Sequence, residues 1–160
     1  MIVWPGMAQS LFANQRETNL ASTVALIEEV LREQGHDPDR AHISVDGASH
    51  AWQVKTGSAI TRVTVFPTPD FTHLRVRSVV MTIDAKVDRS ALFQHLLEKN
   101  CDLWGAAFGL ELDHVVLVAE RSTLDIDRSE VADMIRRVTT YADDHDDALV
   151  AKFGGRLGRI

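Results

Sequence analysis

The fold of this chain is decided by residues 88–155, which read DRSALFQHLLEKNCDLWGAAFGLELDHVVLVAERSTLDIDRSEVADMIRRVTTYADDHDDALVAKFGG. The stretch predicts a helix, a tight β-hairpin and a long helix, in that order. Asp88 can cap the first helix, because its side chain accepts hydrogen bonds from free backbone amides. Asp127 and Glu130 have the spacing of a capping box, which marks the start of the last helix. The second half of the chain is therefore expected to be α-β-β-α.

Apolar spacing predicts which sides of these elements are buried. The predicted buried stripe of the first helix consists of Leu92, Phe93, Leu96 and Leu97. The hairpin is predicted to use residues 108–112 and 115–119 as strands, with Asp113 and His114 as its turn. The return strand is a continuous apolar run, so it is expected to be covered on both faces.

The first half of the chain predicts one helix and three strands. Residues 18–34 carry an apolar helix stripe that ends at Gly35. The apolar period then falls to about two, which predicts strands from residue 42 or 50 to 55, from 59 to 66 and from 73 to 83. A hairpin turn is expected at residues 56–58 and a loop at 67–70, where two prolines remove backbone donors. A change of phase in the third strand predicts a β-bulge near Ser78.

These elements predict an α+β fold in the order α-β-β-β-α-β-β-α, a sandwich in which an antiparallel sheet packs against helices. Residues 18–155 are expected to form a single domain, with residues 1–17 as a flexible N-terminal segment and 156–160 as a C-terminal tail. The chain has 160 residues, which suffices for one core. Either Met1 or Met7 can be the physiological start.

The composition limits the class of partner. A formal net charge of -6 argues against nucleic acid, whose binding needs clustered lysine and arginine. The first residues lack the basic region of a signal peptide, and no apolar run approaches the roughly 18 residues of a membrane span. The single cysteine, Cys101, excludes an intramolecular disulfide and is typical of a reducing compartment. We therefore expect a cytoplasmic protein with neither a nucleic-acid nor a membrane partner.

The sequence offers little for catalysis. It contains no phosphate loop, dinucleotide fingerprint or nucleophile elbow, and its histidines lack metalloprotease spacing. Cys101 has only Lys99 as a basic neighbour in sequence, so it is interpreted as a small buried or half-buried residue and not as a catalytic thiol. The sequence predicts no enzyme activity, no cofactor and no metal site.

Two strand arginines and two tryptophans are candidates for contact with a partner. Arg75 and Arg77 are expected to share a strand face with His73. That face is either the solvated outer surface of an antiparallel sheet or a groove for an anion or an acidic peptide. Trp52 and Trp104 are interpreted as apolar anchors of the core, although an exposed one would indicate an interface.

The most conspicuous polar cluster is an acidic run around His145, made of Asp143, Asp144, Asp146 and Asp147. These carboxylates could contact a partner or hold a divalent cation, or they could form a solvated helix surface or a cap. On one helix His145 lies on the apolar stripe, so it diverges from the carboxylates. Negative charge near a helix C-terminus also opposes the helix dipole, so we predict a break near Asp143.

Several of these residues resemble the YbjN domain family, which is similar in fold to the type III secretion chaperones of the Tir/CesT kind. The resemblance rests on residues 96–100, on the hairpin with Phe108-Gly109-Leu110, and on the last helix with its closing residues 141–147, 153 and 154. It implies a non-enzymatic sandwich, usually a homodimer, that acts as a chaperone-like or regulatory module binding a protein or peptide. The alternative hypothesis is a small-molecule or divalent-metal-responsive regulator, or a hydrolase, that uses the acidic run at 143–147.

Overall fold

The computed structural model describes the backbone of residues 5–69 and 71–158, and side chains from residue 17 onward within those ranges. The helices are α1 (Pro5–Glu33), α2 (Pro38–Ala41), α3 (Arg89–Asn100) and α4 (Arg128–Phe153). The strands are β1 (His42–Ile43), β2 (His50–Thr56), β3 (Ala59–Pro67), β4 (Thr72–Thr82), β5 (Ala107–Glu111), β6 (His114–Ser122) and β7 (Arg156–Leu157).

The strands form one antiparallel sheet in the order β1-β2-β3-β4-β6-β5, with β7 paired to the end of β4. Side chains alternate along β3 and β4, so Val63, Val65, Leu74 and Val76 are fully buried. Residues of α1, α3 and α4 belong to the same apolar cluster as these four strand residues, which places the three helices on one face of the sheet. We call the opposite face the outer face. The predicted α+β sandwich is confirmed.

The core lies between the sheet and the helix layer. Its largest fully buried side chains include Trp52 from β2, Ile27 and Leu31 from α1, and Leu117 from β6. Burying each of the aliphatic side chains stabilises the fold by about 1.5–3 kcal/mol. The buried Trp52 agrees with the predicted core anchor, and the burial of Leu117 agrees with the apolar run of its strand.

The helix starts in the second half of the chain are as predicted. The Asp88 carboxylate accepts the Ala91 N–H at 3.1 Å. Asp127 accepts the Glu130 N–H at 2.9 Å, and Glu130 accepts the Asp127 N–H at 3.0 Å, which completes the capping box. These short-range patterns identify helix starts because all the partners lie within one turn.

The predicted start of α1, at residue 18, was wrong. The backbone is helical from Pro5, whereas the apolar stripe begins only near Thr18. Residues 7–17 contain many good helix formers, and Pro5 is compatible with a first helical turn, so the helix does not need the stripe in order to continue backwards. Residues 1–4, including Met1, lie outside the described residues.

The predicted C-terminal tail is partly a strand. The register between β4 and β6 shifts between Val79 and Met81, close to the bulge predicted near Ser78. Strand β3 leaves β4 after Ser78, so the end of β4 has a free side. There β7 pairs with Met81 and Thr82, and the Gly158 N–H donates to the Val80 carbonyl at 3.1 Å. Residues 159 and 160 lie outside the described residues.

The turn of the second hairpin was predicted one residue too late. Glu111 pairs with His114, so the turn consists of Leu112 and Asp113. His114 begins β6, where its Nδ1 lies 3.0 Å from the Thr82 hydroxyl of β4. Leu112 takes a positive φ of 52°, a conformation that a leucine rarely adopts.

Candidate functional site

The acidic run lies on an unbroken helix, so the predicted break near Asp143 was wrong. Asp143 Oδ1 accepts the Ser58 N–H at 2.8 Å, and Asp146 Oδ2 lies 2.6 Å from the Ser58 hydroxyl. The hydroxyl also lies 2.8 Å from Asp143 Oδ1, although it has only one proton to donate. These donors come from the turn between β2 and β3, and they stabilise negative charge that would otherwise oppose the helix dipole.

The hairpin turn predicted at residues 56–58 is present as Gly57 and Ser58, since Thr56 still belongs to β2, and it is shaped to receive α4. Gly57 has φ +59°, and a Cβ there would overlap the Asp143 carboxylate, so the turn needs glycine for two reasons. The Ser58 N–H, followed by its hydroxyl, holds the pKa of the Asp143 carboxyl below its ordinary value. Asp146 is buried, whereas Asp144 and Asp147 face solvent. Two of the four aspartates that were predicted to contact a partner, Asp143 and Asp146, therefore stabilise the fold.

Nothing in the described part of the chain gathers three His, Cys, Asp or Glu side chains in an arrangement that could hold a metal ion. His145 packs against Phe108 and lies with its Nδ1 2.9 Å from the Tyr141 carbonyl, away from the carboxylates. The divergence inferred from helical spacing is therefore confirmed.

Arginine side chains converge on the outer face of the sheet. Arg75 and Arg77 share this face with His73, as predicted. The register of β3 and β4 adds Arg62, which lies directly opposite Arg77. Sequence reasoning missed Arg62. The signal was present, because the alternation of β3 points it outward and a short loop after Pro67 sets the register.

Two of these arginines have carboxylate partners. Arg75 Nε lies 2.5 Å from Glu120 Oε2, and Arg77 Nη2 lies 2.5 Å from Glu111 Oε2. Arg62 forms no ion pair or side-chain hydrogen bond with the described residues, and its Nε is buried without a partner. The Nε of Arg77 is likewise buried and unpartnered.

The outer face contains an open cavity of about 400 Å³ beside these arginines. Its basic lining consists of Arg62, Arg75 and Arg77. Phe66 supplies an apolar wall, and the Arg75 guanidinium lies 5.1 Å from the centre of the Phe66 ring. The cavity therefore combines cationic donors with an aromatic surface.

A second candidate surface lies where α3 and β5 form the edge of the molecule. We call it the α3–β5 rim, and it includes Leu97, Trp104, Leu110 and Leu112. Both ends of α3 are attached to the second hairpin: Arg89 donates to Asp113 Oδ1 at 3.0 Å, and Asn100 bonds the backbone of Phe108. The Phe108 N–H donates to Asn100 Oδ1 at 2.7 Å, and Asn100 Nδ2 donates to the Phe108 carbonyl at 3.2 Å. Helix α3 therefore runs along β5, whose outer edge pairs with no strand among the described residues.

Large apolar side chains are exposed along this rim. Leu97 is 67% exposed, Trp104 75%, Leu110 46% and Leu112 89%. The prediction that Leu97 is buried was wrong, and so was the assignment of Trp104 to the core. Cys101, predicted to be buried or half-buried, is also exposed here. Helical periodicity identifies a buried face only where another element covers that face, and no described element covers Leu97 of α3.

The comparisons with known proteins agree with this architecture. A chain of the crystal structure of the ExsC–ExsE complex matches with a TM-score of 0.60 at 16% identity, covering 81% of this chain and 95% of that chain. A chain of the HopA1–SchA chaperone–effector complex matches with a TM-score of 0.55 at 10% identity, covering 82% and 97%. At these identities the likeness concerns the fold. No curated protein matches the sequence significantly.

The sequence of residues 21–159 matches the family described as T3SS (YopN, CesT) and YbjN peptide-binding chaperone 1. Since the match spans most of the chain, the protein belongs to this family. The resemblance to YbjN domains and to type III secretion chaperones is confirmed. Within the described ranges, no helix combines the length and apolar character that crossing a membrane requires.

Proposed function

We propose that this protein is a non-enzymatic, chaperone-like module that binds a segment of a partner protein and works as a homodimer in the cytoplasm. Its family is described as peptide-binding chaperones, and one fold neighbour comes from a chaperone–effector complex. The observation that carries the homodimer is the α3–β5 rim, where apolar side chains line a strand edge that no described strand pairs with.

An edge of this kind favours association with another copy. Asn100 occupies the outward backbone groups of Phe108, and strand alternation directs those of Leu110 the same way. A second β5 can pair there antiparallel about a two-fold axis, which makes the contact self-complementary. Burial of the surrounding leucines and Trp104 would then stabilise the pair.

Leu112 also supports a homodimer interface at the α3–β5 rim. A turn position with positive φ favours glycine, asparagine or aspartate, and a solvent-facing leucine there gains nothing from its own chain. A partner surface that covers Leu112 gives the residue a stabilising role.

Sedimentation velocity tests the homodimer. We expect the wild-type chain to be a dimer at micromolar concentration, and Leu112→Asn to raise its dissociation constant about tenfold, a loss of about 1.4 kcal/mol. Asparagine tolerates positive φ, so the variant should fold as well as the wild type. Leu124→Asn is the matched control, because Leu124 is also exposed, at 59%, but lies outside the rim.

A wild-type chain that stays monomeric at all concentrations would contradict the homodimer. An equal loss in Leu124→Asn would show that the rim is not the interface.

The alternative, a small-molecule or divalent-metal-responsive regulator or a hydrolase, rests on the acidic run. Two of its four carboxylates are engaged by Ser58, which weakens the support for that hypothesis. A thermal-shift series with divalent cations tests it directly, since a cation bound by the native state raises the unfolding temperature. We expect no shift.

A further inference from the structure

The outer-face arginines have an arrangement that is unfavourable for the isolated chain. Arg62 and Arg77 are direct neighbours across β3 and β4, and like charges in that position destabilise a sheet. Arg77 is paired with Glu111, so the charge that lacks a carboxylate partner among the described residues is that of Arg62. A ligand with negative charge would relieve the repulsion.

Two carboxylates of this face are already committed, and Asp46, which also lines the cavity, forms no ion pair with Arg62. Glu111 is paired with Arg77 and Glu120 with Arg75, whereas the described residues provide no carboxylate partner for Arg62. The buried Nε atoms of Arg62 and Arg77 have no acceptor among the described residues, and Arg62 can turn toward a ligand without breaking an ion pair with any of them. Donors that lack an acceptor in the free protein can gain one on binding.

The cavity beside them has the size and chemistry for a short piece of chain. It offers about 400 Å³ and is lined by guanidinium groups, by Phe66, whose ring lies 5.1 Å from the Arg75 guanidinium, and by Thr64. Guanidinium groups bind carboxylates through paired, charge-assisted hydrogen bonds. An extended segment could place a carboxylate at Arg62 and an apolar side chain on Phe66.

On this basis we propose that the outer face binds an acidic segment of the partner protein, with Arg62 as its main anchor. This rests on the proposed function, since it names the chemistry of the segment that the module binds. A polyphosphate fits less well, because Asp46, Glu111 and Glu120 on or beside the same surface would repel a continuous line of negative charge.

Fluorescence anisotropy with three labelled peptides tests this inference. One peptide alternates glutamate with leucine, the second replaces every glutamate by glutamine, and the third replaces it by lysine. We expect the acidic peptide to bind at least about tenfold more tightly than the other two, and this preference to shrink as salt is raised.

Arg62→Gln should weaken binding of the acidic peptide about tenfold and leave the glutamine peptide unaffected. Arg136→Gln is the matched control, because Arg136 is an exposed arginine of α4, in the helix layer. Thermal unfolding of Arg62→Gln should show an unchanged or higher midpoint, which excludes misfolding as the cause of weaker binding.

Each other outcome has a distinct meaning. Equal binding of the acidic and glutamine peptides would overturn the acidic segment while the peptide-binding function stands. No binding of any peptide would count against both the acidic segment and the proposed peptide-binding function. Tighter binding of a single-stranded oligonucleotide, lost in Arg62→Gln, would overturn the peptide in favour of nucleic acid.

Discussion

The acidic run of α4 places four aspartates within residues 143–147, whereas the three arginines of the outer face come from two strands. The acidic run is conspicuous in the sequence, yet half of it is held by Ser58. The arginines are inconspicuous, yet they meet in space and one of them has no carboxylate partner among the described residues. A charge cluster therefore indicates a binding surface when its members remain unsatisfied after folding, and not merely when they are close in sequence.

The largest effect on stability is expected at the contact between Ser58 and the acidic run. Ser58→Ala removes the hydroxyl beside buried Asp146, and we expect it to lower the free energy of unfolding by about 1–3 kcal/mol, because Oδ2 of this buried carboxylate loses its donor while Oδ1 keeps the Asp147 N–H. Urea unfolding measures the change. Ser44→Ala, at an exposed serine, is the control and should be nearly neutral.

A double-mutant cycle checks that the loss belongs to this contact. In an Asp146→Ala background, Ser58→Ala should cost clearly less than it does in the wild type. Equal costs in the two backgrounds would mean that Asp146 is not stabilised by Ser58, and the contrast between the clusters would weaken.

A smaller effect of opposite sign is expected at the arginines. Arg62→Thr should raise the free energy of unfolding by about 0.2–1 kcal/mol, because it removes a like charge opposite Arg77 and threonine suits a strand. Lys55→Thr is the matched control, since the residue directly opposite Lys55 is the uncharged Ile60. If Arg62→Thr destabilises the protein more than Lys55→Thr does, Arg62 supports the fold and is not an unsatisfied group.

The smallest effect concerns pH. The folded pKa of Asp143 lies below its ordinary value of 3.8, because the Ser58 N–H and hydroxyl stabilise the carboxylate. Its contribution to stability is therefore present above that value and is lost as the pH falls through the lower, folded pKa. Urea unfolding from about pH 5 to about pH 3 should show a steeper loss in the wild type than in Asp143→Asn. The difference should be small, because Asp143 is exposed and screened by solvent.

The sequence predicted what depends on near neighbours. The capping box at Asp127, the cap at Asp88, the turn at residues 56–58 and the alternation of β3 and β4 each involve residues a few positions apart, so their patterns are visible without a structure. The same holds for the strand face shared by Arg75 and Arg77.

What the sequence did not predict depends on distant partners. The break predicted near Asp143 took account of the helix alone, since the donors that remove the conflict lie 85 residues away at Ser58. The pairing of β7 requires the free side of β4 after the bulge, and the exposure of Leu97 and Trp104 depends on which elements pack beside α3 and the loop before β5. None of these has a local signature.

The contact between Ser58 and α4 also constrains the order of folding. The β2–β3 turn comes early in the chain, but the carboxylates that receive its donors belong to the last helix. During synthesis the first hairpin can therefore form, but its turn cannot reach its final packing until the ribosome has released residues up to Asp146. A long-range contact of this kind slows folding, because the chain must close a large loop before the contact stabilises anything. The last helix is thus the element whose arrival completes the first hairpin.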